Sequence, residues 1–258
     1  MKSLWNSFKI AFSMFSKIPM PQAEWTKENM KYMFCFFPLI GSVIGGVTML
    51  AAWAGIRYGF DRTFVTIVLV LIPVLITGGI HVDGLLDTAD AMSSWQERKR
   101  RLEILKDSNA GAFAVITACV YFLTLYGAYA QIGENFRALC VLSAGFMVSR
   151  SLSGMGVIMI PKAREDGTVA EFSRKAQDRT VRNVLVVYLI LLLMLMIYLH
   201  PVYGSAAFIA AVLIFAYYRH MALKYFGGTT GDLAGFFLCI CEAGMALVIA
   251  VVSNFMIY

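Results

Sequence analysis

Asp83, Asp87 and Asp90 fall within eight residues of the segment GGIHVDGLLDTADAM (78–92), directly after one of the most apolar stretches of the chain. On a helix the spacing i, i+4, i+7 gathers them within an arc of about 60°. At ~6 Å and an effective dielectric of ~20, each neighbouring pair of ionised carboxylates repels by roughly 3 kcal/mol. Water, a retained proton or a cation must absorb that repulsion. Mg²⁺ suits the third case, because it takes one or two carboxylates and completes a hard oxygen shell with water and substrate phosphates. Gly84 leaves space beside Asp83 for such a group. Val82, Leu85, Leu86 and Ala89 form a separate apolar stripe with which the helix can pack. A merely solvated helix with acids in its first turns would also satisfy the dipole, but these acids lack basic partners at i+4 and adjoin an apolar span.

Other segments carry complementary chemistry. In QERKRRLEILKDSNAGAF (96–113), Arg100, Glu103 and Asp107 share a helical face, and Lys106 and Ser108 follow. The closing KDSNAG is small and turn-forming where an apolar run begins, a place for backbone amides to meet an anion. PKAREDGTVAEF (161–172) sets Arg164 beside Asp166-Gly167. GGTTGDLAG (227–235) offers glycines, the hydroxyls of Thr229 and Thr230, and Asp232; without Gly-Lys-Ser/Thr it is not a Walker loop. Arg150 and Glu242 sit inside apolar runs, where each is costly unless paired or facing water. Either they pair with each other, or Arg150 lines an anion site that Glu242 orients. Together these groups point to a metal-assisted site for a phosphorylated substrate.

The elements that must hold them are membrane helices. Of 258 residues, 59% are hydrophobic and 15% charged, against about 25% charged in soluble domains. Seven apolar runs read as spans: 34–55, 64–80, 110–132, 138–160, 184–199, 205–223 and 233–257, with His200-Pro201 and Gly204 turning the fifth into the sixth. Segments on one side of these spans hold eighteen Lys and Arg, those on the other side three. That asymmetry places the N-terminus and the loops 81–109, 161–183 and 224–232 in the cytoplasm. The net charge of +6 therefore reads as positive-inside loops over anionic lipid, not as a nucleic-acid surface. Leu4, Phe8, Ala11, Phe12 and Phe15 share a face of an N-terminal interfacial amphipathic helix. Cys35, Cys119, Cys140, Cys239 and Cys241 lie in apolar runs without metal-ligand spacing and read as small hydrophobes. The expected fold is an all-α integral membrane protein: one polytopic catalytic domain, 1–258, of about seven transmembrane helices, with an N-terminal amphipathic helix and a cytoplasmic helical loop.

In order along the chain, FSMFSKIPMP, FFPLIGSVIGG, HVDGLLDTADAM, RLEILKDSNAGAF, AREDGT and GGTTGDLAG with Glu242 downstream resemble the cobalamin synthase family. Ala91 stands where the family pattern has glycine, Asn109 where it has arginine, and Ser16-Lys17 where it has Thr-Arg. The resemblance implies a multi-pass, magnesium-dependent enzyme of the bacterial inner membrane. It would join adenosylcobinamide-GDP to α-ribazole or α-ribazole 5′-phosphate and release GMP. On that reading Asp83 and Asp87 bind Mg²⁺, Asp90 is a further ligand or the general base, and Asp232 holds a second metal. Lys106, Arg150 and Arg164 meet phosphate charge. Glu103 and Asp107 orient their neighbours, and Arg100, Ser108, Thr229 and Thr230 complete the substrate contacts. A homo-oligomer is compatible with the sequence. Two rivals are weaker: a CDP-alcohol phosphotransferase, whose DGxxAR signature is missing, and a transporter built on Arg150 and Glu242, for which inverted repeats are missing.

Overall fold

The computed structural model describes residues 2–107, 109–164 and 178–255. Ser108 and the Asp166-Gly167 pair lie outside the described residues. The described residues form eleven α-helices: α1 Lys2–Phe15, α2 Lys27–Met30, α3 Met33–Tyr58, α4 Arg62–Thr77, α5 Ile80–Ser93, α6 Arg98–Ile104, α7 Ala112–Ile132, α8 Phe136–Met159, α9 Asp178–Leu199, α10 Pro201–Met221 and α11 Gly231–Phe255. A single π-helical stretch, Ala222–Phe226, extends α10. The described residues hold no strand beyond one isolated bridge, Lys162 to Thr229. Helices α3, α7, α8, α9, α10 and α11 are long and apolar enough to cross a membrane, as lipid requires when every backbone group must be satisfied internally.

The second expected span, 64–80, is divided differently. Helix α4 has 16 residues, about 24 Å at 1.5 Å per residue, and α5 leaves it at 93°. The bend is made by Gly78 and Gly79, with φ of +66° and +80°, a conformation that costs other residues ~1–2 kcal/mol. Gly79 N–H closes α4 on the Val74 carbonyl and the Gly79 carbonyl opens α5 by accepting Asp83 N–H. Thus α5 runs across one end of the bundle.

Other helix ends have local causes. Asp61 caps α4 by accepting from Thr63 and Phe64 N–H at 2.9 and 3.2 Å. Asn135 caps α8 through Ala138 N–H. The expected sixth span starts earlier than 205, because Pro201 stands at the first turn of α10 with His200 as its cap. Helix α1 is anchored more deeply than an interfacial helix: Ile10, Ala11 and Phe12 are buried against the bundle, Ser7 Oγ bonds the Asn29 carbonyl, and Lys9 Nζ the Gln22 carbonyl, while Leu4 and Trp5 remain exposed.

Helix α8 is the axis, packed by α3, α9, α10 and α11. Its run Ser149–Gly156 is small and buried, apart from Arg150, Leu152 and Met155, and small residues let helices approach closely in lipid. Leu71, Leu75, Leu123, Ile190 and Leu213 are exposed on the outer helices, as expected of a surface that meets acyl chains.

Helix α5 crosses the start of α11 at Gly84. A Cβ there would stand 2.6 Å from the Asp232 carbonyl oxygen and 2.9 Å from its Cα. Gly84 therefore serves helix contact rather than access for a metal or phosphate. The buried face of α5 is His81, Gly84, Leu85, Thr88 and Ala91; of the expected stripe of Val82, Leu85, Leu86 and Ala89, only Leu85 is fully buried. The reason is the close crossing, which favours small residues over large ones. Gly84→Val should destabilise the detergent-solubilised protein by at least ~1–3 kcal/mol through overpacking. Gly46→Ala, whose added Cβ meets nothing within 4 Å, should leave the thermal midpoint unchanged or slightly raised; equal midpoints for both variants would contradict this account of the crossing.

Candidate active site

The α5–α11 crossing brings Asp83 and Asp87 of α5 to Asp232 in the first turn of α11. Asp83 is exposed, and Asp87 and Asp90 are partly buried. Burial, followed by the nearby Asp83, Asp232 and Asp90 carboxylates, pushes Asp87 from 3.8 up to about 7. Burial is the larger cause, and the repulsion anticipated from the spacing adds to it, with a fourth carboxylate contributed from far along the chain.

Asp90 faces a different task. Its Oδ2 accepts Gly111 N–H at 2.6 Å and its Oδ1 accepts Ala114 N–H at 2.9 Å. The anion met by the amides after KDSNAG is therefore the protein's own carboxylate, which caps α7 from 24 residues away. Each Asp90 oxygen accepts one backbone N–H, so Asp90 serves as a cap of α7. Gly111 is required by this approach, since a Cβ there would meet the Asp90 carboxylate at 2.7 Å.

The loop before α9 is held against the loop before α11. Thr229 N–H donates to the Pro161 carbonyl at 2.8 Å, and Ala163 N–H donates to the Thr229 carbonyl at 3.0 Å. This pairing sets Arg164 near enough to Asp232 to act on it electrostatically. One Arg164 Nη donates to the Leu102 carbonyl, and its buried Nε has no hydrogen-bond partner. Thr229 and Thr230 hold the scaffold: the Thr229 hydroxyl bonds Tyr218 Oη, and Thr230 Oγ1 accepts Leu233 N–H at 3.2 Å to cap α11 and lies 3.3 Å from Asp232 Oδ2. Both hydroxyls, expected to contact substrate, have partners within the protein.

Helix α6 is turned so that Arg100 pairs with Glu103 at 2.9 Å on the solvent side, an exposed pair worth little. Asp107 accepts from the Asn109 backbone and side chain, which hold its carboxyl below the usual range. Lys106 is exposed beyond the end of α6. The residues that fasten α6 are ones sequence reasoning left as positive-inside charges. Arg101 is buried with its guanidinium 4.8 Å from the Tyr225 ring centroid, and Arg98 lies over Gly227. Their signal was faint, because neither partner is near in sequence.

Arg150 is drawn away from the phosphate set. It is fully buried, with Nη1 2.7 Å from Glu242 Oε1 and 3.0 Å from the Phe146 carbonyl, while Ser149 Oγ adds a bond to Glu242 at 2.8 Å. The two charges inside apolar helices pair with each other, while the buried Arg150 Nε has no hydrogen-bond partner.

Among the described residues, no group of three or more His, Cys, Asp or Glu side chains is placed to hold a metal ion by itself. The all-oxygen, mutually repulsive set of Asp83, Asp87 and Asp232 would offer a cation part of its shell, the rest coming from water and phosphate.

The architecture and this acidic end define a polytopic membrane enzyme whose carboxylates are gathered from distant helices. The chain belongs to the cobalamin-5-phosphate synthase family, whose model matches residues 7–250. It is 45% identical to a protein of Lachnoclostridium phytofermentans over 95% of this chain and 94% of that one. It is 32% identical to one of Desulfitobacterium hafniense over 91% of each, and 30% identical to one of Clostridium botulinum strain Alaska E43 over 94% and 96%. All three are named adenosylcobinamide-GDP ribazoletransferase. No solved structure matched the chain.

Two outcomes follow from the geometry. Asp90→Ala should lower stability by ~0.5–2 kcal/mol through loss of a helix cap, whereas exposed Asp83→Ala should not; the thermal midpoints of the two variants check this. A carboxyl that holds its proton more tightly when folded lends stability that is complete below 3.8 and is lost as pH rises toward about 7. Chelator-treated protein should therefore lose thermal stability across that window, and Asp87→Asn should flatten the curve.

Proposed function

We propose that this protein transfers the adenosylcobinamide phosphate unit of adenosylcobinamide-GDP to a ribose hydroxyl of α-ribazole or α-ribazole 5′-phosphate, releasing GMP. The observation that carries this reading is the gathering of Asp83, Asp87 and Asp232 at one glycine-tight crossing, in a chain of this family. The acceptor oxygen forms a bond to the cobinamide-side phosphorus, the bond to the GMP oxygen breaks, and the hydroxyl proton leaves to a base. Such a displacement needs positioning and charge neutralisation more than covalent help.

Asp83, Asp87 and Asp232 are the residues that would hold Mg²⁺. Bound there, the ion supplies neutralisation of pyrophosphate oxygens. Arg164, with an unmet N–H beside Asp232, is placed to take charge that develops on the leaving phosphate. Asp90 keeps the start of α7 fixed below α5, and Thr230 fixes Asp232. The acidic end faces the cytoplasm of a bacterial inner membrane, in line with the distribution of Lys and Arg.

The test is purified protein in lipid with Mg²⁺, adenosylcobinamide-GDP and either acceptor, scored for GMP and the joined corrinoid. Turnover should require the divalent ion. Asp83→Asn, Asp87→Asn and Asp232→Asn should each lower kcat by about a hundredfold or more with membrane insertion intact. Absence of product with both acceptors would overturn the reading, and near-native rates in the three variants would overturn the metal assignment.

A further inference from the structure

The carboxylate cluster depends on where α5 starts, and the bend that starts it is held from outside α4 and α5. The last four carbonyls of α4 have no partner within the helix, and an unmet carbonyl beside lipid is costly. That of Val74 accepts the Gly78 and Gly79 N–H groups. That of Ile76 accepts Lys17 N–H at 2.7 Å, from the chain just beyond α1. The Lys17 side chain then runs across the bend. A Cβ on Gly78 would stand 2.7 Å from Lys17 Cγ and 3.0 Å from its Cδ, and nearer still to Cε. The stem therefore lies on the bare α-carbon of a residue whose φ is +66°. Long basic side chains cover a surface with their methylenes and leave the head in water, and Lys17 as a whole is exposed. Ser16 steadies the approach: it is buried, its Oγ donates to the Phe12 carbonyl at 2.7 Å and accepts Ile18 N–H at 3.3 Å. One residue earlier, the Phe15 ring stands 4.4 Å from that of Phe37, which meets the His81 ring of α5 edge-on at 6.1 Å. The end of α1 thus reaches α4 directly and α5 through Phe37.

We infer that Lys17 is a positioning residue for the acidic site: its N–H and its methylenes lock the Gly78–Gly79 bend and so fix where the first turn of α5 carries Asp83. Both residues of the bend are glycine, which has the widest choice of backbone conformations, so the angle between α4 and α5 needs a support that the two residues do not supply. Asp83 lies in the first turn of α5, and its N–H bonds the Gly79 carbonyl at 2.9 Å. A change of angle at the bend therefore moves this carboxylate relative to Asp232. The ammonium has no part in this role, which belongs to the backbone N–H and the stem. The role rests on the transferase reading above, in which Asp83, Asp87 and Asp232 hold a metal ion, and it adds what keeps Asp83 in register with Asp232.

The experiment compares the full chain in lipid nanodiscs with Lys17→Ala, which removes the stem beyond Cβ, and with Lys17→Met, which keeps an unbranched apolar stem without the charge. Amide hydrogen exchange of chelator-treated protein reads the bend directly, over residues 77–84. It should be about tenfold faster in Lys17→Ala and native-like in Lys17→Met. With substrates present, the Mg²⁺ concentration for half-maximal turnover should rise about tenfold in Lys17→Ala, with the thermal midpoint close to native, and should recover in Lys17→Met. Gly78→Ala should quicken exchange by displacing the stem, and should add less in the Lys17→Ala background than alone. Native exchange in Lys17→Ala would overturn the inference. So would Lys17→Met as impaired as Lys17→Ala, since that assigns the role to the ammonium, and so would strict additivity with Gly78→Ala. Should Lys17→Ala not fold, Lys17→Met and Gly78→Ala still decide: native exchange in the first and faster exchange in the second are expected, and the converse overturns the role. Wild-type protein that yields no joined corrinoid would fail the transferase reading, while the exchange comparison, made without metal or substrate, judges the brace separately.

Discussion

The site depends on how closely two backbones approach. Helices α5 and α11 touch at Gly84 and Gly235, where a Cβ on Gly235 would stand 3.0 Å from the His81 carbonyl. Apolar side chains gain little by leaving lipid for one another, so association in a membrane rests on such close packing and on hydrogen bonds. Here the same crossing that supplies packing carries the carboxylates. Attraction between the helix backbones holds together side chains that repel, and that repulsion adds to burial in pushing Asp87 up to about 7. Everything else at this end of the bundle serves the crossing. Gly78 and Gly79 aim α5, Asp90 fastens α7 beneath it, and the Pro161–Ala163 and Thr229 pairing steadies the start of α11.

The chain meets the cost of charge in an apolar setting in two contrasting ways. At Arg150 and Glu242 opposite charges cancel at 2.7 Å, with Ser149 and a backbone carbonyl taking part of the remaining bonding capacity. That pair is internally neutral, although the buried Arg150 Nε is left without a hydrogen-bond partner. At the acidic end like charges are left facing one another, a state that calls for a counter-charge from outside. The first is a solution for architecture and the second for chemistry, and a count of charged residues does not tell them apart.

The sequence shows most of the architecture. Run lengths and the Lys and Arg asymmetry locate the spans because a lipid core punishes any other arrangement, and the family motifs identify the acidic end. What it conceals is partnership. The 3.6-residue period places Asp83, Asp87 and Asp90 on one face, but whether a given carboxylate meets a helix terminus depends on where α7 begins, just past Gly111, which lies 21 residues after Asp90. Gly84 reads equally well as space for a ligand or for a helix, and only the position of Asp232 decides. Thr229 and Thr230 look like a hydroxyl-rich ligand loop until Tyr218 and the α11 amides are seen to engage them.

Asp232 stands on the final helix of the chain, and this has a consequence for biogenesis. A ribosome delivers the spans in order, N-terminal first, so α5 lies at the bilayer surface with its acids uncovered while six further helices are still being made. During that interval Asp83 and Asp87 face water and lack their third carboxylate, and the nascent chain has no assembled centre with which to engage a nucleotide. The three carboxylates come together only when α11 docks onto Gly84, so this cluster is assembled by helices made far apart in time.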